Sequence, residues 1–286
     1  MTDKGNLEFS GCRMGFEPIH GVHAVETVVF TVRQDRPINI SILQQAQARK
    51  AWEMELPAKQ IPQLMEAEMG PSGAVQKTVM SGLEFAHVRQ NGSPAWLLRF
   101  LGTDIVVECT RYTDWDKVSN RALRYIREAL TTLTTVDPDL KLSVIAINVV
   151  DRFRYTGGDV DYSSLFKECS FLADGPGSRS SLWHQHSGWF ESWNGRPVLN
   201  QLNIDVQGGT GDSVVTTLPD DASVRIQHLQ EMRFVPQAAS NFLQDSTDSI
   251  EAAFSAYHAQ NLRLMSELLS LDAAEKIGLH RSREAR

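Results

Sequence analysis

The stretch LSVIAINVVDRFRY, Leu142–Tyr155, is long, β-branched and free of proline and glycine, and it reads as a buried strand. Asp137-Pro138-Asp139 precedes it and Gly157-Gly158 breaks it. Immediately upstream the period changes. Trp115, Val118, Ala122, Ile126, Ala129 and Leu133 step by three and four, the apolar stripe of a helix over Trp115–Thr134. Thr113 with Asp116 three residues later has the form of a capping box, and Asp114 adds negative charge at the positive end of the helix dipole.

Further upstream, Ala24–Arg33 (AVETVVFTVR) alternates, with Val28, Phe30 and Val32 on one face and Thr27, Thr31 and Arg33 on the other. Arg36-Pro37-Ile38-Asn39 stops this strand, and residues 40–52 read as a helix capped by Asn39 or Ser41. Pro57, Pro62 and Gly70-Pro71 punctuate what reads as a short edge strand followed by a loop. Strands are expected at Leu83–Gln90, Ala95–Phe100 and Asp104–Thr110. Asn91-Gly92 supplies the positive φ values of a tight hairpin, and Gly102-Thr103 a second turn.

Downstream, Asp161–Lys167 reads as a helical turn and Asp174–Ser181 as a loop. Leu182–Trp193 and Pro197–Val206 flank a hairpin at Asn194-Gly195. Asp212–Asp221 reads as an exposed loop, and Ser223–Phe234 alternates, with Val224, Ile226 and His228 opposite Ser223, Arg225 and Gln227. Ala239–Leu271 is expected to form one long helix, with Ile250, Phe254, Tyr257, Asn261, Leu264, Leu268 and Leu271 in four-three spacing.

The order strand, helix, antiparallel strands, helix thus occurs twice. It predicts an α+β fold of two similar subdomains, each a curved antiparallel sheet packed on a long helix. The expected organisation is a flexible N-terminus over 1–20, subdomains over 21–138 and 139–272, and a polar tail over 273–286. The copies share element order and no residue-level similarity.

Composition narrows the function classes. The chain has 286 residues with 42 % hydrophobic and 22 % charged residues, enough apolar material for a sizeable core without a staple. No apolar run reaches the length of a membrane span, and Met1–Phe16 lacks the apolar centre of a secretion signal. Three cysteines (Cys12, Cys109, Cys169) at no metal-like spacing suit a reducing cytoplasm. A net charge of −7 argues against non-specific nucleic-acid binding.

Chemistry-bearing patterns are few. His184 and His186 share one face of a strand and are the metal-ligand candidates, with His228 and Asp205 on neighbouring strands as further ligands. Trp183, Trp189 and Phe190 form an aromatic patch suited to a binding surface or to core packing. Arg152 and Arg154 share a face and suit an anion, or pairing with Asp159 or Asp161. Lys117, Arg121 and Arg124 form a basic stripe, with Glu128 placed to pair with Arg124. Glu66, Glu68, Asp220 and Asp221 read as loop and surface carboxylates, and no nucleophile elbow, zinc-protease or phosphate-loop motif occurs.

Several of these stretches resemble a sporadically distributed family of prokaryotic proteins of similar length, with no assigned activity. Glu17-Pro18-Ile19 precedes the strand Val25–Arg33, and Phe100-Leu101-Gly102-Thr103-Asp104 leads through a strand to Trp115 at a helix start. Ile145–Phe153 matches the family's signature strand in part: it keeps Arg152 and differs at Asn148, Val149 and Asp151. Phe254 and Leu262 lie where the last helix of that family carries a phenylalanine and an apolar residue. The resemblance implies no agreed enzymatic activity and a patchy distribution of the kind shown by mobile accessory or defence genes.

The leading expectation is a non-enzymatic cytoplasmic binding protein, in a bacterial defence or toxin-control system, contacting another protein through the aromatic strand and the terminal helix. A homodimer through the C-terminal helix is a further partner reading. No cofactor and no membrane association are expected. The first alternative is a metal- or phosphate-dependent hydrolase using His184, His186 and Arg152. The second is a nucleic-acid binder acting through the Lys117–Arg124 stripe.

Overall fold

The computed structural model describes residues 15–41, 51–70, 73–80, 82–157, 161–176, 182–208, 222–245 and 249–279. Its centre is the strand singled out above. β9 (Lys141–Tyr155) runs for 15 residues and pairs with β12 (Ser223–Ala238) on one side and β2 (Val25–Gln34) on the other. Beyond β12 lie β11 (Arg196–Gln207) and the edge strand β10 (His184–Trp193). Beyond β2 lie β8 (Asp104–Cys109), β7 (Pro94–Leu101), β6 (Gly82–Val88) and the short edge strand β3 (Ala58–Gln60). β1 (Phe16–Pro18) extends the β2 side by pairing with the far end of β9. The fold is α+β, and the antiparallel sheet is one continuous ten-stranded surface where the sequence suggested two. The two runs of strands join because β9 and β2 each offer a second long edge, paired from Val25↔Asp151 to Gln34↔Leu142.

Two helices lie across one face. α2 (Trp115–Val136), which follows the short α1 (Ala51–Glu55), buries Val118, Ala122, Ile126, Ala129 and Leu133. Its cap is Asp114, whose side chain accepts from the Lys117 backbone N–H at 2.9 Å; the Thr113 box is not the one used. The expected terminal helix is divided into α3 (Ala239–Gln244), α4 (Ile250–Leu268) and α5 (Leu271–Lys276). Ser270 caps α5 through its hydroxyl, so the chain turns there, and Leu271 is 64 % exposed rather than part of the stripe. The remaining stripe of α4, from Ile250 to Leu268, is buried on the sheet, and packing within the chain accounts for its spacing. Phe254 meets Phe30 edge-on at 5.1 Å, and the Tyr257 hydroxyl donates to the Ile145 carbonyl at 3.2 Å.

The main buried cluster joins α2 and the N-terminal part of α4 to β2, β6, β7, β8 and the first half of β9. A second cluster gathers Phe153, Tyr155, Leu202, Ile204, Val224 and Ile226 under Leu264, Leu268 and the Tyr162–Phe166 segment. Among the described residues no helix is long and apolar enough to cross a membrane.

Other expectations are corrected locally. The loop expected after the short edge strand β3 contains β4 (Gln63–Gly70) and β5 (Gly73–Met80), a separate two-stranded hairpin paired from Gln63↔Met80 to Gly70↔Gly73. Alternation in Met65-Glu66-Ala67-Glu68-Met69 carries it, and the flanking prolines and glycines masked that pattern. At Asn194-Gly195 both residues have positive φ (48° and 74°), as expected of the two-residue hairpin. At Asn91-Gly92 only Gly92 does (83°). Asn91 instead accepts hydrogen bonds from the Ser93 N–H and hydroxyl, within a longer loop closed by Arg89 and Ser93. β12 runs on through Pro236, which is tolerated because the pairing with β9 shifts register between Arg233 and Gln237. Residues 1–14, most of the 40–52 helix, Gly158, Asp159, residues 177–181, the Asp212–Asp221 loop and residues 280–286 lie outside the described residues.

Candidate ligand-binding cavity

Side-chain parity along β9 places one polar residue in an apolar row. Ile145, Ile147, Val149, Asp151, Phe153 and Tyr155 all point toward the helices. Opposite Asp151 the β2 ladder shifts register: Val25 pairs with Asp151 and Thr27 with Val150, leaving Glu26 unpaired. This bulge turns Val25 and Val28 inward and Glu26 outward, and it leaves space above the Asp151 carboxyl. Tyr112, just before α2, and His23, in the loop before β2, close two sides. His258, Asn261 and Leu262 of α4 form the roof, and Ile277 and Leu279 after α5 reach the rim. The enclosed cavity measures about 100 Å³. Trp115, His258, Leu262 and Leu279 also line an outer groove of about 830 Å³ that carries Asp114, Asp116 and Arg263.

Electrostatics set this cavity apart from ordinary core. Asp151 is 4 % exposed, and no hydrogen bond or ion pair reaches its carboxyl among the described residues. Burial alone pushes it up to about 7. Among the described residues no Lys or Arg lines the cavity. Burial, then the charge of Asp151, pushes the Tyr112 phenol up. His23 is lowered by burial and by His20, whose ring lies 4.8 Å away, and its buried Nδ1 has no partner among the described residues. Burial lowers His258 to about 4 against the pull of Asp116. Asn261 is held by the buried His228, whose Nδ1 lies 2.9 Å from the Asn261 Oδ1. The described residues thus give a cavity with imidazoles held toward neutral, a phenol and one carboxyl without a counter-charge among them.

The residues singled out from the sequence lie elsewhere. His184 and His186 share the outward face of β10, rings 5.6 Å apart, and His186 meets Asn203 at 2.6 Å. Asp205 pairs directly across from His184, but His228 projects to the opposite face and cannot join them. No group of three metal-ligating side chains occurs among the described residues. Trp183 and Trp189 turn inward: Trp183 packs on Tyr162 and Phe166, and Trp189 on Phe171 and His228. Phe190 alone of the patch is outward, 72 % exposed.

Arg152 and Arg154 lie on the outward face of β9 as expected. Arg152 pairs with Glu26, at 3.1 Å, and Arg225 shares the same carboxylate at 3.2 Å; of the expected partners, Asp161 instead caps the Tyr162–Ser164 turn and Asp159 lies outside the described residues. The bulge at Glu26 brings this carboxylate within reach, which strand alternation alone did not show. Arg154 is exposed. Arg152 stands three strands from His184 and His186, about 14 Å at ordinary strand spacing. In the α2 stripe, Lys117 pairs with Asp114, while Arg121 and Arg124 both hold Glu55, at 3.0 and 2.7 Å. Glu55 at the end of α1 therefore takes the place expected of Glu128. Glu66 and Glu68 lie on β4, not in a loop. Cys109 is a buried free thiol, and Cys169 is free and half-buried.

The sequence reading missed Tyr112, His258 and Asn261, which come together only through the packing of α4 on β9. Asp151 was not singled out either, although counting by twos from Ile145 puts a carboxylate in the core row. No family model matches the chain, and neither a curated protein nor a solved structure is detectably similar to it.

Proposed function

We propose that this chain is a non-enzymatic binding protein and that a small ligand occupies the Asp151 cavity. The observation that carries this reading is a buried carboxyl that faces open space and has no partner among the described residues. A protein core does not ordinarily retain such a group, because burying it uncompensated is unfavourable. Apolar walls with a few convergent polar groups are the usual build of a small-molecule site, and the adjoining groove supplies a route of entry. The hydrolase reading loses support because Arg152 and the two histidines do not converge. The nucleic-acid reading loses support because each cation of the α2 stripe is paired with a carboxylate.

A test is protein-observed NMR with fragments of roughly six to ten heavy atoms. Resonances of Tyr112, the Trp115 indole and His258 should shift, and Leu262→Trp, which plugs the passage, should suppress the shifts. No shift at these residues with any fragment would overturn the reading.

A second reading, contact with a partner protein, is favoured by β10. It is the end strand of the sheet and presents Phe190 beside a backbone edge that no described strand pairs. Loss of a co-purifying partner on Phe190→Lys, with unchanged stability, would support it. Retention of that partner would count against it. We also read the two halves as an internal duplication. The strand orders β9-β12-β11-β10 and β2-β8-β7-β6 mirror one another about the β9–β2 pair, which supports that reading.

A further inference from the structure

We infer that the ligand of this cavity is a small organic cation, a protonated amine on a short apolar body, bound by the Asp151 carboxylate. The inference rests on the binding reading above and adds the chemical class. Among the described residues Asp151 is the only acid in the cavity wall, and no Lys or Arg lies there to neutralise it. An ammonium group would supply the missing counter-charge and hydrogen-bond donors together, removing the penalty of an unpaired buried carboxylate. Trp115 and Tyr112 add aromatic surface favourable to a cation. Val25, Val149, Leu262 and Met265 suit the apolar body. In the groove outside, Asp116 favours approach of positive charge, while Asp114 and Arg263 there are paired with Lys117 and Glu191.

Size limits the ligand. The cavity of about 100 Å³ is small beside ordinary ligand sites, so it takes the charged head and a short chain, and anything larger extends into the groove. The groups facing Asp151 are His23 from the loop before β2, Tyr112 from the segment before α2, and His258 with Asn261 from α4. Its neighbours on β2 and β12, Val25 and Ile226, are apolar, as are Ile277 and Leu279 at the rim. Both histidines are held toward their neutral forms, so neither competes with the ligand for the carboxylate. A cationic ligand therefore displaces the proton of Asp151, and binding weakens as pH falls through the carboxyl value of about 7.

The experiment is calorimetric titration of the full chain with isoamylamine, isoamyl alcohol and isovalerate, three probes sharing one apolar body. At pH 8 the amine should bind at least about tenfold more tightly than the alcohol, a ratio that would shrink by about tenfold per pH unit below 7. Asp151→Asn should abolish the preference while the far-ultraviolet spectrum stays native. Equal or tighter binding of the alcohol or the carboxylate, or amine binding unchanged in Asp151→Asn, would overturn the cation class and leave the binding cavity standing. Failure of all three probes to bind wild-type protein at about 10 mM would overturn the cavity reading as well.

Discussion

The rings of Trp115 and His258 lie face to face, centroids 3.9 Å apart and planes within 5° of parallel. This pair joins the first residue of α2 to the middle of α4, and it stands where the inner cavity meets the outer groove. A helix start and a helix centre are thereby pinned together over the sheet, and passage to Asp151 runs past them.

Protonating His258 should loosen that closure. Burial lowers the imidazole from its ordinary 6.5 to about 4, so the folded state prefers the neutral ring. The unfolded chain takes up the proton first as pH falls, and the stability due to the neutral ring is lost between about 6.5 and 4. His258→Phe keeps the stack and removes the titration. Urea unfolding at pH 7.5 and 5 should show a smaller acid loss in the variant than in wild type. Equal losses would mean that another group governs this range.

Asp151 acts with the opposite sign. Its carboxyl is raised from 3.8 to about 7, so the unfolded chain ionises first as pH rises. Stability falls between about pH 4 and 7 and levels off above. A carboxyl held that far above its ordinary value is destabilising by on the order of 4 kcal/mol once ionised. Asp151→Asn should therefore stabilise the unliganded protein by a few kcal/mol at pH 8 and change little near pH 4. Chemical denaturation at the two pH values checks the difference. A destabilised variant at pH 8 would show that the carboxylate has a structural partner.

Glu55 ties α1 to α2 by receiving both Arg121 and Arg124, and the Tyr125 hydroxyl donates to it at 2.6 Å. Hydrogen bonding from Arg124 first, opposed by desolvation, holds its carboxyl down at about 2. Its contribution is present above the ordinary carboxylate value and is lost as pH falls toward 2. The group is partly solvated, so Glu55→Gln should cost only about 1 kcal/mol, and less in high salt. Thermal unfolding at two ionic strengths measures both. The same substitution frees two guanidinium groups, and a salt-sensitive gain in nucleic-acid affinity would revive the basic-stripe reading.

Gly82 opens β6 directly across from Leu101. A Cβ built there would lie 2.4 Å from the Phe100 carbonyl oxygen, which is backbone and cannot swing away. Gly82→Ala should cost about 1–3 kcal/mol through the shift it forces in the β6–β7 ladder. Wild-type stability of this variant would mean that the start of β6 moves freely.

What could be read from the chain follows the range of each interaction. Strand and helix identities rest on local periodicity, so β9, β11 and the α2 stripe were legible, and so was the positive-φ turn at Asn194-Gly195. Joining the strands into one sheet depends on the β9–β2 edge, a pairing between residues more than a hundred positions apart that no local pattern encodes. The break in the terminal helix was written locally, in the Ser270 cap, but the four-three count runs across it to Leu271. The histidines of β10 stood out as a motif, whereas the cavity residues come from separate segments and carry no shared spacing. The parity of Asp151 within an otherwise apolar row was the one local signal that could have pointed inward, and the sequence reading did not use it.

The buried His228 supplies a last test of how the roof of the cavity is held. Its two nitrogens face Asn261 Oδ1 at 2.9 Å and Asn200 Oδ1 at 3.1 Å. Burial lowers the ring to about 4, so at neutral pH it carries a single N–H. A neutral imidazole donates to one side and accepts on the other, so one of the two amides turns its NH₂ toward the ring. Asn261 is the nearer partner; with the ring proton on Nδ1, the Asn261 Oδ1 accepts from that N–H and Asn200 turns its amide to donate to Nε2. His228→Leu strands both amides in the core and should cost about 2–4 kcal/mol. Adding Asn261→Leu removes one stranded group, so the double variant should lose less than the sum of the two single changes. Strict additivity in denaturant unfolding would show that the pair is not coupled, and that Asn261 is positioned by the packing of α4 alone.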